Sequence, residues 1–560
     1  MLQDRAKQAE YELEQRDRNF VGYHLIVAIA ALAVGSTFGP LQALEHAGID
    51  LYPQMEWLLQ SGQGAYYQGL TIHGVLNALV WTTFFITGFL TLTLIKGLGR
   101  RLRYPVINWV GFLTMVVGLV ITAIPLLAGN ATVLFTFYPP MQPSSLFYIG
   151  LTLVVVGSWI EGLGFYLTYY QWRQENPDTR TPFIAFASLI TMVLWQIATI
   201  GVAAEILGML LPASLGWTSG MDPQLARTLF WFTGHPLVYF WLLPAYLSWY
   251  AMLPKQVDGK MFSDQLARLA FWLFLLLSVP LGFHHQFVDP GIPNGWKYIH
   301  FALTYAVAIP SFMTLFTVVA SLEYGAVKRG GSGLFRWMLA LPWTKPSVVA
   351  QLLAGLLFIF GGIGGIMNAS YNVNLALHNT AWVPGHFHLT VASAVTMTFF
   401  GISYWLVPYI VGKPLWAPKL ALASSWIYFV GMLVFSNAMH TVGLLGAPRR
   451  VPLGLAPYVP SEWSGHLWRV GIGGTIMYVG LMLYVVVVLV TALRRKKFAE
   501  GEGVEIPVAE SRRDVQATPL WLDRWVPWLT ATAILVLLAY GPQLYEQLTN
   551  AQLNSPSFPP

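Results

Sequence analysis

The sequence predicts an all-α polytopic membrane protein of about thirteen transmembrane helices with a cytoplasmic amino terminus. Three observations predict it. Of 560 residues, 56% are hydrophobic and 10% charged, with a mean hydropathy of +0.56, whereas soluble domains carry about 25% charged residues. Thirteen apolar runs each approach the roughly 20 residues that a span requires. The connections between them alternate in Lys and Arg content.

The runs lie near 20–40, 70–98, 104–128, 145–172, 182–212, 226–252, 266–285, 298–322, 347–367, 381–410, 419–445, 466–493 and 525–547. The amino terminus and the even-numbered connections hold 26 of the 31 Lys and Arg residues; the other side keeps Arg227, Lys297, Arg449, Arg450 and Arg469. Positive charge stays in the cytoplasm, which orients the chain. The same asymmetry explains the net charge of +6, so that charge is no argument for nucleic acid. Residues 1–19 are charged throughout, lack the apolar core of a signal peptide, and read as a cytoplasmic amino-terminal segment. The transmembrane domain follows over 20–547, with a short charged cytoplasmic linker at 496–519 and a tail at 548–560. No internal repeat is found. The absence of cysteine excludes disulfides, iron-sulfur clusters and thiolate metal sites. Any metal is held by His, Met or carboxylate.

On this map His73 lies at the outer start of the second span and His235 about three turns into the sixth. His284 and His285 lie at the outer end of the seventh, and His386 and His388 at the outer start of the tenth. One intramembrane His reads equally as a satisfied interhelical hydrogen bond. Six at one depth point to function, because ionisable groups in a bilayer are costly and imidazole is the commonest nitrogen ligand. His386 and His388, two apart on a helix, point about 200° apart and cannot share one metal, but can hold two flat cofactors on either side of the helix. His284 and His285, about 100° apart, can clasp one ion with a third ligand, for which His235 is the natural choice; alternatively the dipeptide merely ends a helix. Three His without a thiolate suit copper or zinc.

The strings YYQGLTIHGVLNA, GHPLVYFWLLPAY, GFHHQF and HNTAWVPGHFHL resemble subunit I of the heme-copper oxidases, most closely the B family of bacterial cytochrome c oxidases. The likeness runs from the first span to the thirteenth and keeps the order of the motifs. It implies two hemes and one copper ion. His73 and His388 would be the axial ligands of a low-spin heme, His386 the proximal ligand of a high-spin heme, and His235, His284 and His285 the copper ligands. The implied activity is reduction of dioxygen to water, coupled to proton translocation, in a bacterial inner membrane.

Tyr239, four residues after His235, projects from the same helix face. In the family this pair is covalently joined, and the phenol supplies an electron and a proton when the oxygen bond breaks. Nitric oxide reductases of the superfamily lack this tyrosine and carry glutamates by the non-heme metal; here no acid adjoins Tyr239. Tyr246 and Tyr250 continue its face toward the cytoplasm, and Ser311, Thr314 and Thr317 recur every third residue on the eighth span. Hydroxyls relay protons without holding charge in the membrane, and these match the single proton path of B-family enzymes. The Ser/Thr row reads equally as bonding back to its own helix.

Leu237 stands where A-family enzymes have a glutamate, so their second proton path is expected to be absent. Asn374 stands where a close relative has an acid near the high-spin heme propionates. His378, Arg449 and Arg450 are the expected contacts to heme carboxylates, since Arg binds carboxylate by a two-pronged bond, the alternative for the two arginines being a surface pair on lipid phosphate, and Asp289 is expected to accept from one of them. Without cysteine the chain cannot carry the dinuclear copper centre that receives electrons from cytochrome c in the family, so the resemblance implies a second subunit bearing it, with cytochrome c as donor and a small single-span subunit as further partners. Nitric oxide reduction, a quinol-fed oxidase and, from another class, a secondary transporter are the competing readings.

Overall fold

A computed structural model describes residues 11–454, 456–552 and 555–556. Among them, 11 helices are long and apolar enough to cross a membrane. The chain begins with α1 (Gln15–His46), so the helix extends beyond the expected run at both ends and takes in the last part of the polar amino-terminal segment; residues 1–10 of that segment lie outside the described residues. Next come α2 (Gln63–Gly74) and α3 (Thr82–Leu98), joined by the π-helical stretch Val75–Trp81 into one span. Then follow α4 (Pro105–Leu127), α5 (Ser145–Glu175) and α6 (Phe183–Glu205).

The sixth and seventh runs differ from the other spans. The sixth is divided into α7 (Pro223–Gly234) and α8 (Pro236–Ala251), with His235 at the joint. Pro236 lacks the N–H that would carry the hydrogen-bond ladder through this point. The seventh is α9 (Asp264–Ser278), after which the chain turns through a 3₁₀ segment, Gly282–Gln286, that contains His284 and His285. These two interrupted elements are not among the eleven long helices. Both interruptions fall on the histidines expected to bind copper.

The rest comprises α10 (Asn294–Ala306), α11 (Ala308–Lys328), α12 (Pro346–Ala369), α13 (Tyr371–Leu377) and α14 (Trp382–Phe387). A π-helical stretch, His388–Val395, leads from α14 into α15 (Thr396–Val411). The last three are α16 (Pro418–Leu444), α17 (Ser464–Leu493) and α18 (Trp525–Thr549).

The expected linker at 496–519 packs along one end of the bundle. Ala509 N–H donates to the Ala251 carbonyl at 2.6 Å, Lys260 pairs with Glu510 at 2.7 Å, and the fully buried Arg268 bonds both Asp264 and Asp523. At the other end a short pairing joins Gly220–Met221 to Ser555–Pro556 in the tail.

Helices approach closely where glycine removes the side chain. A Cβ on Gly118 of α4 would lie 2.6 Å from the Gly150 carbonyl of α5, and one on Gly157 would lie 2.6 Å from the Gly111 carbonyl. Small residues at such contacts are what let helices associate in lipid, where no hydrophobic driving force acts between them. Gly118→Leu is therefore expected to cost at least the ~1–3 kcal/mol typical of overpacking and to lower the thermal midpoint in detergent. Val117→Leu, one residue away at an exposed position, is expected to leave it unchanged; equal midpoints for the two variants would contradict this packing.

Candidate metal and cofactor site

All six expected ligand histidines line one cavity of ≈ 780 Å³, within the size range of cofactor pockets. His73 and His388 face each other across it with ring centres 6.4 Å apart and planes 14° from parallel. Two imidazoles bound to one metal from opposite sides, at about 2.0–2.1 Å per bond, place their ring centres about 6.3 Å apart. The separation thus fits one iron between them. Each ring also has one nitrogen engaged: His73 Nδ1 donates to the Gly35 carbonyl at 3.0 Å and His388 Nδ1 to the Pro384 carbonyl at 2.7 Å. That leaves both Nε2 atoms available to ligate, since a metal-binding histidine commonly donates its other ring N–H to a carbonyl that fixes its orientation.

His235, His284 and His285 form a group whose ligand atoms all lie within 4.8 Å of one another. His235 Nδ1 and His285 Nε2 are 3.1 Å apart, the spacing of adjacent donors on a metal bound at about 2.0–2.1 Å with a bond angle near 100°. His284 Nδ1 is engaged by the Leu281 carbonyl at 2.7 Å and by Thr304 Oγ1 at 3.0 Å, so its Nε2 is the available donor. Three imidazoles with no carboxylate or thiolate make a donor set that suits copper. The interruptions of the sixth and seventh runs produce it: a ring at a helix joint and two on a 3₁₀ turn reach a common point that one continuous helix would not offer.

Tyr239 lies beside this group, its hydroxyl 3.4 Å from His235 Nε2. Its ring centre is 5.6 Å from that of Phe274, which also flanks Tyr246. His386 enters from the opposite side of its helix, as the 200° offset from His388 demands. Space for its ring comes from GGIGGIMNAS: a Cβ on Gly364 would lie 2.9 Å from His386 Nδ1, and one on Gly365 would lie 3.5 Å from Cε1.

The rim is basic. Arg449 bonds the neutral Asn379 Oδ1, and Arg450 stacks over Phe135. Burial and then the neighbouring Arg450 push the Arg449 guanidinium down to about 9, and burial lowers Arg450 as well. Among the described residues neither arginine has a carboxylate partner, and both line the cavity. Two cations so placed fit the carboxylates of a porphyrin. His378 stands nearby, lowered to about 4 first by burial and then by Arg449.

Asp289 corrects the expectation for it. Its carboxylate is held by Arg227 in a two-pronged contact of 2.9 and 3.0 Å and also accepts from Gln286 Nε2 at 3.0 Å. Arg227 is close in space although distant in sequence, so proximity along the chain gave no hint of the pairing. Asn374 is also tied locally, its amide donating to the Asn368 carbonyl at 2.7 Å.

The hydroxyl residues do come together. Tyr250 donates to Thr314 Oγ1 at 2.9 Å, and the Tyr246 hydroxyl is directed at Ser311 without closing a hydrogen bond. Thr314 and Thr317 also donate to their own helix, to the Pro310 and Met313 carbonyls. The back-bonding reading of the row is thus observed at Thr314 and Thr317, with Thr314 also accepting from Tyr250. Ser321, one turn beyond Thr317, extends it and accepts from Phe262 N–H at 2.9 Å; the every-third spacing breaks before Ser321, which hid it. Trp231 was also missed: it stacks on His285 at 3.7 Å with planes 7° apart, and nothing in the sequence distinguishes it from the other 22 tryptophans.

Comparison with known proteins places this geometry in a family. The family described as cytochrome c and quinol oxidase polypeptide I matches residues 19–476. Cytochrome c oxidase subunit 1 of Thermus thermophilus is 45% identical over 528 residues, 94% of each chain. Cytochrome c oxidase polypeptide 1 of Halobacterium salinarum is 28% identical over 384 residues, 65% of this chain and 60% of that one. A cryo-EM structure of a heme-copper terminal oxidase dimer superposes with a TM-score of 0.91 at 40% identity, covering 98% of this chain and 95% of the other. The chain is a multi-pass membrane protein that belongs to the heme-copper oxidase subunit I family.

Proposed function

We propose that the chain is the catalytic subunit of a terminal respiratory oxidase in a bacterial inner membrane. It reduces dioxygen to water with electrons from cytochrome c and couples this to proton translocation. The convergence of three imidazole sets on one cavity carries the reading: a facing pair, a cluster of three and a single ring. His73 and His388 ligate a low-spin heme, His386 a high-spin heme, and His235, His284 and His285 copper. Arg449, Arg450 and His378 receive the heme carboxylates. The eleven long helices together with the two interrupted elements make thirteen spans, with the amino terminus in the cytoplasm. Leu237 and the single hydroxyl row support the B family.

When bound, the metals supply electron storage and the binding and reduction of dioxygen. The protein orients them and brings protons. Backbone carbonyls of Gly35, Pro384 and Leu281 fix which ring nitrogen faces the cavity. The Tyr239 hydroxyl, beside His235 Nε2, would be the local donor of a proton and an electron to the chemistry that the metals supply. Its proton would be resupplied along Thr317, Thr314 and Tyr250, then Ser311 and Tyr246, and its electron by the cytochrome c donor. Four protons and four electrons per dioxygen are consumed in all. Electrons enter through a second subunit that carries the dinuclear copper centre, because this chain has no cysteine; a small single-span subunit completes the assembly.

The relative at 45% identity is a cytochrome c oxidase subunit, which favours cytochrome c over quinol as donor. The all-imidazole cluster and Tyr239 favour dioxygen over nitric oxide, and membership of an oxidase family leaves the transporter reading without support.

His386→Ala is expected to abolish the carbon monoxide difference spectrum of the high-spin heme while sparing the low-spin bands; an unaltered spectrum would refute the ligand assignment. Tyr239→Phe is expected to assemble both hemes yet lose about a hundredfold in oxygen uptake, a typical effect of deleting a positioned proton donor. Near-normal uptake would contradict its role. Gly364→Val, which drives a side chain onto His386, is expected to mimic His386→Ala spectroscopically, whereas Gly362→Val, where no side chain lies closer than 4.0 Å, is expected to leave the spectrum intact.

A further inference from the structure

A second titratable assembly lies in the interior, between α1 and α5, and its residues do not line the cavity. His24 and Glu161 are both fully buried, with His24 Nε2 2.9 Å from Glu161 Oε1. The other ring nitrogen, Nδ1, is 3.0 Å from the Phe20 carbonyl oxygen, one turn back on α1. A carbonyl can only accept, so Nδ1 carries a proton. A neutral imidazole has a single N–H, which leaves Nε2 as a bare acceptor facing a carboxyl oxygen. The 2.9 Å contact between them therefore needs a further proton, on Nε2 or on Glu161. In either form the pair holds one proton more than a neutral imidazole with a carboxylate, and it is uncharged overall. Without that proton a net negative charge would stand in the apolar interior, where an unpaired charge is strongly disfavoured.

The surroundings are shaped around this pair. A Cβ on Gly88 of α3 would lie 2.7 Å from His24 Cβ, and one on Gly111 of α4 would lie 2.6 Å from Glu161 Cγ. Asn108 donates to the Glu161 main-chain carbonyl at 3.1 Å, while Asn108 Oδ1 and Glu161 Oε2 are buried without partners. Phe20 and Phe112 wall the imidazole, with ring centres at 4.7 and 4.6 Å. Other charged groups on these helices stay near their ends: Arg16, Arg18 and Asp17, the last held by Arg101, and Glu45 and His46 on α1; Lys96 on α3; Arg173 and Glu175 on α5. α4 has none. His24 and Gly35 are eleven residues apart on α1 and offset by about 20°. Both therefore face the α2–α3 span, and Gly35 supplies the carbonyl that holds His73.

We infer that His24 and Glu161 form a proton-binding site inside the membrane, holding one proton between them and fastening α1 to α5, separate from the Tyr239 row. The test uses the assembled oxidase with ¹⁵N-labelled histidine, His24 being assigned by loss of its resonances in His24→Gln. Expected is a protonated Nδ1, with Nε2 either protonated or accepting from a carboxylic acid. A neutral ring protonated only on Nε2, beside a carboxylate, would overturn the site. Glu161→Gln keeps a side chain able to donate to Nε2 but removes the ionisation. It is expected to lose one carboxylic-acid or imidazolium–carboxylate infrared signal while heme spectra and oxygen turnover stay unchanged. Slowed turnover with both hemes intact would overturn the separation from the Tyr239 row.

Discussion

The hydrogen bond from a ring Nδ1 to a main-chain carbonyl is the constraint on which the site depends. An imidazole has two nitrogens, and ligation needs the correct one bare and aimed inward. In His73, His388 and His284 the choice is made by Gly35, Pro384 and Leu281, whose carbonyls lie at 2.7–3.0 Å. Gly35 and Pro384 lie in α1 and α14, and Leu281 lies in the turn that leads into the 3₁₀ segment. Rotating any of the three rings would strand a donor in an apolar cavity, where a lost hydrogen bond is expensive. Ring orientation is thus written into the backbone before any metal arrives.

That arrangement requires irregular backbone, and the irregularities cluster at the same residues. The π-helical stretch Val75–Trp81 begins two residues after His73, and another begins at His388. His235 sits at a joint enforced by Pro236, and His284 and His285 sit on a 3₁₀ turn. Non-helical backbone at membrane depth is tolerated only where protein buries it or it lines a cavity, and π-bulges recur at functional sites. Regular helices supply rigid walls. The departures from regularity supply the directions in which the rings point.

Much of this was legible in the sequence because a bilayer simplifies reading. Apolar length located the long helices, and the place of each histidine along its helix followed by counting residues. The 200° offset between His386 and His388 depends only on helix geometry. What stayed hidden were contacts between residues far apart in the chain. Asp289 is expected to pair with Arg449 or Arg450, yet Arg227 reaches it from α7. Trp231 and Ser321 gave no signal, since stacking on His285 and capping by Phe262 arise only from tertiary packing. Span boundaries failed for a related reason: hydropathy cannot see a helix that is interrupted at a ligand, so the sixth and seventh runs looked like the others.

Charge at the rim follows the same logic of mutual dependence. Arg227 is neutralised by Asp289, whereas among the described residues Arg449 bonds a neutral amide and Arg450 stacks on an aromatic face, neither with a carboxylate. Burial and then the neighbouring Arg450 push Arg449 down to about 9. Such an arrangement is stable in a folded protein when an anion completes it. The two heme carboxylates proposed for this position would supply both missing charges, so cofactor binding and closure of the rim become one event. The 445–454 loop that carries the arginines is braced by the Asn379 carbonyl, which accepts from Arg449 N–H at 2.9 Å, by Ala381 N–H on the Ala447 carbonyl at 2.8 Å and by the Tyr66 hydroxyl on the Val451 carbonyl at 3.1 Å. Electrostatic completion of the rim by the cofactor thus complements orientation of its ligands by the backbone, and neither alone would assemble the site.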